Sequence, residues 1–437
     1  MKKVIISSFA VFAILGILVL VLGCRFYDYY IFTQQIEFSP FQEQGFDYFG
    51  KLVGEPNDDN FPYYLIKFMA DIEKQDQISD LLGLISEKDK SFQKDAVEKL
   101  LQTADPLISN DLYRFNEIVP IIKNKMKETK NSIPVSFNNS EMYPNSPRFR
   151  TIKNTSKYWF IVSRMLEQRK EFETSLYLSH AVFYLLKDNQ TIYKDSGSLM
   201  KKIASVVVSD IACNSILIWA SNPKPQCRLQ SKEVAKDILD FVNNEYSFSH
   251  VIEFELFTSE DIIDHYANKG DYMLSKIRQS SSYEEIKKIY FKDPMKFLDK
   301  PIYEIKKELA EYSEQRNKLL REFTPTDYVF YLLFNPAKMA GLYLARLWTP
   351  DFKKAKELSE ASLAKMEMTA IALAINSFVC EKNKYPESMD ELSEWFGSKL
   401  PNNRITNEPY ELDFKGKHVL SNNSIKGSEF YFDFSVK

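Results

Sequence analysis

The sequence of 437 residues predicts a mostly α protein: an N-terminal transmembrane helix, a multi-helix body and a small α+β module at the C-terminal end. Three observations carry this. Apolar residues recur at three- and four-residue steps through most of the chain. An uncharged apolar run occupies Val4 to Gly23. Beyond Pro409 the period shortens to two. Hydrophobic residues at 44% and charged residues at 27% make a globular composition, not a disordered one. With only 12 glycines, the chain lacks the tight turns of a sandwich or barrel and any glycine-rich phosphate loop. A net charge of −3, with no basic stripe, argues against nucleic acid as a partner.

The N-terminal run reads "VIISSFAVFAILGILVLVLG" after Lys2 and Lys3. Twenty residues rising ~1.5 Å each reach ~30 Å, enough to cross a hydrocarbon core. A cleaved signal peptide has an apolar region of only ~7–15 residues. Phe26, Tyr27, Tyr29 and Tyr30 suit a membrane interface, and the two lysines outweigh Arg25. That balance puts the N-terminus inside and the bulk of the chain outside the cytoplasm. "VLGC", Val21–Cys24, offers a second reading, a lipobox with Cys24 lipidated. Residues 1–24 are thus expected to be a transmembrane anchor or lipoprotein signal.

Residues 25–350 are expected to form an α-helical extracytoplasmic body. Helical spacing runs from Pro62 to Lys130, and an Asn-, Ser- and Pro-rich stretch then predicts a long loop near 131–155. "KYWFIVSRMLEQRK" and "EFETSLYLSHAVFYLLKD" predict an antiparallel helical hairpin. Residues 198–220 are apolar nearly all round. Asp210 and Asn214 near their centre favour a buried core helix over a second span, since a charge at the bilayer midplane costs ~2.5–3.5 kcal/mol. Ser231 is expected to cap the following helix. Residues 258–322 read as solvated, ion-paired helices, and Asn335-Pro336 breaks the apolar stretch 327–348.

Residues 351–437 form the expected C-terminal module. One long helix carries an apolar stripe of Leu358, Met368, Ile371, Ile375 and Phe378, and its centre, "AIALAI", is apolar on all faces. Pro386 ends it, and Ser388 with Glu391 makes a capping box for "MDELSEWF". Alternation at Tyr410, Leu412 and Phe414, then "HVLS", then Phe430 to Val436 predicts a short antiparallel sheet packed on the long helix.

Candidate chemistry is sparse. The histidines are His180, His250, His265 and His418, and none sits in HExxH. There is no CxxC pair, GxSxG elbow, Walker A loop or GxGxxG turn. No catalytic residue and no cofactor is expected. Asp261 and His265 in "EDIIDH" stand one helical turn apart and could share a cation with a third ligand, although helix capping explains the acids equally well. His180 is expected to pack or cap a neighbour. Asp210 is expected to find a Lys or Arg partner or a solvent-facing position, with burial raising its pKa. Cys213 and Cys227 flank a helix end, where either a disulfide or two buried thiols fits.

Two tracts carry a resemblance. "TAIALAINSFVCEKNKYPESMDELSEWFGSKLPNNRITNEPYELDF" is similar to the ending of a family of large bacterial membrane-anchored helical proteins, patterned "ALxLYRxxHGRYPxSLxEL" and "LPxDPxxGxPLxY". The tract from Arg164 to Ala212 and "NPAKMAGLYLARL" resemble the same family's middle. The resemblance implies a helical body with a pseudopilin-like, type II secretion protein G-like module, and brings no catalytic residues. This sequence departs from the pattern at "NNRITNEPY". The loops that hold calcium in some pseudopilins offer here only Asn402, Asn403 and Glu408, and no calcium site is expected. The leading expectation is a non-enzymatic, single-pass, membrane-anchored extracytoplasmic binding or scaffold protein of the bacterial cell envelope, with a protein partner there. An envelope hydrolase with a divergent site and a pseudopilin-like secretion subunit are the alternatives.

Overall fold

The computed structural model describes scattered positions between 101 and 123 and the stretches 149–192, 199–221, 228–244, 247–249, 251–253, 255–256, 287–321, 351–413, 418–420 and 431–433. The described chain is predominantly helical. It divides into two units. One comprises Met1–Gly50, Glu255–Phe297 and Lys307–Asp351, the other Lys51–Phe254, Leu298–Lys306 and Phe352–Lys437. The anchor expected in 1–24, including Cys24, lies outside the described residues.

In the first unit a π-helical turn, Lys288–Lys292, runs into a helical turn at Asp293–Met295. Pro294 is buried in that turn and continues a helical run without a break, so its missing N–H removes one donor from the run. Nearly all of helix α5 (Lys306–Arg321) belongs here, with Leu309 and Tyr312 buried and Glu308, Glu311 and Glu314 exposed. The solvated, charged face expected of this stretch is present.

The second unit is a helix bundle. Helices α1 (Phe149–Gln168) and α2 (Phe172–Ile192) form the expected hairpin. Lys170 adopts the left-handed conformation (φ 66°) between them. Its N–H donates to Glu167 O at 2.9 Å and that of Glu171 to Leu166 O at 2.9 Å, a Schellman closure that satisfies the carbonyls ending α1. Helix α1 begins at Phe149, so the loop expected near 131–155 ends earlier than its polar composition suggests. Phe149, Ile152 and Ser156 extend the helical spacing of Trp159 and Val162 backwards.

Helices α3 (Leu199–Ala220) and α4 (Arg228–Asn243) follow, and α6 (Phe352–Lys382) packs against both. Helix α6 is apolar and long enough to cross a membrane, but every residue from Ser362 to Phe378 is buried. It is the central helix of this unit. The alanines of "TAIALAI" let neighbouring backbones approach, while Ile371, Leu373 and Ile375 fill the gaps. Of the expected apolar stripe, Leu358 is 39% exposed and the other four members are buried. Helix α6 covers α3 and α4, and Leu392, Phe396, Leu400 and Tyr410 join the same core.

Buried hydrogen bonds fix the helices in register. Trp219 Nε1 donates to Phe172 O at 3.0 Å, joining the end of α3 to the start of α2. Asn376 Nδ2 donates to Ala220 O at 3.3 Å, and Asn376 Oδ1 accepts from Ser231 Oγ at 3.4 Å. Ser231 is therefore an interior residue of α4, which starts at Arg228, and not its cap. Ser179 Oγ lies 2.7 Å from Ser215 Oγ and donates to Ser163 Oγ at 3.1 Å. Arg164, fully buried, donates to Ser215 O at 2.8 Å and to Glu167 at 3.0 Å. Burial pulls its pKa below the usual arginine value, and Glu167 partly opposes that.

Helix α7 (Met389–Phe396) is stopped and started as the sequence predicts. Ser388 Oγ accepts from Glu391 N at 3.1 Å, and Gly397 closes the helix at φ 85°. Glu391 reaches back to Glu387 N at 2.5 Å, one residue beyond the usual capping-box partner. Trp395 meets Phe378 edge-on at 5.4 Å and lies under Lys232 Nζ at 4.0 Å, which pins α7 to α6 and α4. After α7, three stretches pair antiparallel in the order β1 (Glu411–Asp413), β2 (His418–Leu420), β3 (Tyr431–Asp433), with Leu412 opposite Val419 and Val419 opposite Phe432.

Truncation separates the core from the surface of α6. Ile371→Ala is expected to lower stability by about 2–5 kcal/mol, and Leu358→Ala to change it by no more than about 0.5 kcal/mol. Urea denaturation of both variants checks this.

Candidate functional site

Helix α6 carries Lys356, Glu360, Lys365 and Glu367 into the core, each 4% exposed or less. Lys356, Glu360 and Glu367 are spaced four and seven apart, which puts them on one stripe of the helix. Lys356 Nζ lies 2.6 Å from Glu360 Oε1 and 5.7 Å from the Phe248 ring centre. Arg404 Nη1 is 3.6 Å from Glu360 Oε2, and its Nε donates to Glu367 Oε1 at 2.7 Å. Tyr410 Oη is 2.8 Å from Glu367 Oε2 and 3.2 Å from Ala364 O. The segment 401–410 is thereby fastened to α6 through one glutamate, both of whose oxygens are engaged.

The segment holds its own shape. Asn403 N donates to Glu408 O at 2.9 Å, Asn407 N to Asn403 O at 2.7 Å, and Asn407 is left-handed at φ 62°. Asn403 Oδ1 accepts from Ile405 N at 2.9 Å. Asn402 Nδ2 donates to Asn407 O at 3.2 Å, and Glu408 is exposed. These asparagines shape a turn.

Burial dominates the electrostatics of Glu367. Desolvation lifts its carboxyl to about 7, with Arg404 and then Tyr410 opposing and Glu360 adding a smaller upward push. Tyr410 is likewise raised, first by burial and then by Glu367. Arg404 remains 29% exposed on its side chain, so water shares its guanidinium and the ion pair does not offset the burial of Glu367. A near-neutral carboxyl beside an arginine and a phenol can hold or release a proton at ordinary pH.

Asp210 proves to be a paired residue at the edge of the core. Its Oδ1 lies 3.3 Å from Lys365 Nζ, with Lys365 4% and Asp210 43% exposed. Both placements expected of it are thus realised at once, a lysine partner and contact with solvent. His180 is buried with Nε2 2.9 Å from Asp237 Oδ2 and its ring 5.8 Å from that of Phe183. Cys213 is a buried free thiol facing Thr369 and Lys365 of α6. Burial pushes it up to about 12. Cys227, the other member of the bridge considered, lies outside the described residues. Asp261 and His265 also lie outside the described residues. Among those described, no group of three His, Cys, Asp or Glu is placed to hold a metal ion.

The sequence reading singled out Asp210 and His180 but missed Glu367, Arg404 and Tyr410. The signal was present in α6, where charged residues at helical spacing interrupt a stretch too apolar to be a solvated face. Comparison with protein-family models, with curated proteins and with solved structures finds no match for this chain.

Two outcomes are expected. A Glu367→Gln variant keeps an acceptor for Arg404 and a donor for Tyr410 without the charge. Between about 4.5 and about 7 the unfolded chain releases the Glu367 proton while the folded chain retains it. The wild type therefore loses stability relative to the variant as pH rises through that window, by about 3 kcal/mol at pH 8 at ~1.4 kcal/mol per unit. Below pH 4.5 the two coincide. Denaturant titrations across pH read the difference directly. The second outcome concerns thiols: alkylation of the native protein at pH 8, mapped by peptide mass spectrometry, is expected to label half-buried Cys380 well before Cys213.

Proposed function

We propose that this chain is a non-enzymatic, membrane-anchored extracytoplasmic protein that serves as a binding or scaffold element of the bacterial cell envelope. The observation that carries the proposal is the uncharged run Val4–Gly23, preceded by Lys2 and Lys3 and followed by the aromatics at 26–30. A single span there leaves the helical body outside the cytoplasm. The body's design supports a scaffold. Helices α1–α4 and α6 share one core, tied by the Trp219, Asn376 and Arg164 hydrogen bonds, which favours a rigid unit.

The proposal extends to residues 351–437 as a helix-plus-sheet module of pseudopilin type. The order of long helix, short capped helix and three short antiparallel strands supports it. The resemblance of the tract from Thr369 to Phe414 supports it as well. The module here shares its long helix with the body, which suits a fixed fold element better than an assembling subunit. A protein partner in the envelope is the expected ligand of such a scaffold.

A topology experiment tests the proposal. A C-terminal alkaline phosphatase fusion is expected to be active, and carbonate-washed membranes to retain the full chain. Deleting residues 1–24 should release it. Cys24→Ala is expected to stay in the membrane if the anchor is a span, and to be lost from it if the anchor is a lipid. An inactive fusion with full chain in the cytosol would overturn the extracytoplasmic reading.

A further inference from the structure

We propose that the contact among Glu367, Tyr410 and Arg404 is a proton-operated latch: one proton taken up by Glu367 tightens the hold of residues 401–410 on α6, and its loss loosens that hold. The argument begins with a count of protons. Tyr410 has one hydroxyl hydrogen and two acceptors within reach, Glu367 Oε2 at 2.8 Å and Ala364 O at 3.2 Å. When Glu367 is ionised, that hydrogen goes to Oε2 and Ala364 O receives nothing from the segment. When Glu367 carries a proton on Oε2, it donates to Tyr410 Oη instead, and the hydroxyl is released to donate to Ala364 O. Arg404 Nε donates to Oε1 at 2.7 Å in both states. The protonated form therefore makes one more hydrogen bond between segment and helix and buries no carboxylate charge at Glu367.

The ionised form gains the attraction of Arg404, but that guanidinium is shared. Its Nη1 faces Glu360 Oε2 at 3.6 Å, and part of it is in water. Several charged groups of α6 and of the elements packed against it meet other partners. On α6 itself, Lys356 neutralises Glu360, and Lys365 is turned to Asp210 of α3. From α4, Lys232 sits over Trp395 and Asp237 meets His180. From the stretch 298–306, the Tyr303 phenol is raised by burial, by Glu304 and then by Glu360. Arg404 is the cation that opposes the burial of Glu367. Burial sets its proton release near neutrality, so ordinary shifts in pH reach the latch. Tyr410 immediately precedes β1 at Glu411, and the latch therefore lies at the root of the C-terminal strands.

Hydrogen exchange on the full-length protein in detergent or nanodiscs tests the latch, with rates corrected for the intrinsic effect of pH on amides. In the wild type, opening of the amides of 401–413 is expected to rise by more than about tenfold from pH 5.5 to pH 8, and at both pH values to occur at a lower free energy than opening of the α2, α3 and α4 amides. Glu367→Gln is expected to hold the segment closed at both pH values. Arg404→Gln, at a part-exposed position, should match the wild type at pH 5.5 and open further at pH 8. A flat wild-type profile would overturn the latch, and so would a rise of the same size in Glu367→Gln. Opening of 401–413 only together with α2 to α4, at one shared free energy, would replace it with global destabilisation.

Discussion

The structure of the second unit depends on burying α6 without stranding its charges. Thirty-one residues long and apolar enough to pass for a membrane span, the helix still carries Lys356, Glu360, Lys365 and Glu367 below the surface. An isolated ion in such a place costs several kcal/mol, so each must meet an opposite charge or give up its own. Lys356 and Glu360 solve the problem within the helix, four residues apart. Lys365 solves it through α3, where Asp210 reaches in from the edge. Glu367 meets Tyr410 and a guanidinium shared with water, and burial drives it toward neutrality. Apolar burial sets how closely α3, α4 and α6 approach, and these pairings set which faces may meet.

The neutral polar contacts refine that choice. Replacing buried ion pairs with apolar residues is often neutral or stabilising, so their retention points to specificity rather than to added stability. Asn376 illustrates the principle. It accepts from Ser231 of α4 and donates to the final carbonyl of α3, so a slip of α6 by one residue would break both. The serines 163, 179 and 215 do the same among α1, α2 and α3, where small side chains let the backbones approach and hydroxyls fix the register. Arg164 then closes the set by bonding Ser215 from α1.

Much of this was legible in the sequence because it follows from local chemistry. The hairpin of α1 and α2, the buried character of α3, the long helix to Lys382 and the stop-and-restart around Pro386, Ser388 and Glu391 all rest on spacing and caps within one turn. The Ser231 reading failed for a different cause: its place inside α4 is settled by what packs against it, Asn376 of α6. The site was hidden for the same reason. Arg404 and Tyr410 lie 37 and 43 residues beyond Glu367 and meet it only once 401–410 has folded back along α6. A helical stripe of charges in an apolar stretch is visible in sequence, but its partners are not.

The two elements that follow α6 are attached by unlike means, and the difference has a consequence. Helix α7 is held by the ring of Trp395 against Phe378, by Lys232 over that ring, and by Lys232 Nζ donating to Trp395 O at 2.9 Å. Burial and then Lys236 pull the Lys232 ammonium below the usual lysine value, with Glu381 opposing, while ring packing does not titrate. The segment 401–410 is held by a carboxyl that changes state near neutrality. A change of pH therefore acts on one attachment and spares the other. Since α7 lies between α6 and the segment in the chain, loosening at Glu367 need not propagate into the bundle. It has an anchored helix behind it and the C-terminal strands ahead. The local contact chemistry thus places the first opening at 401–410 and the strands that follow, ahead of the core of α1 to α4.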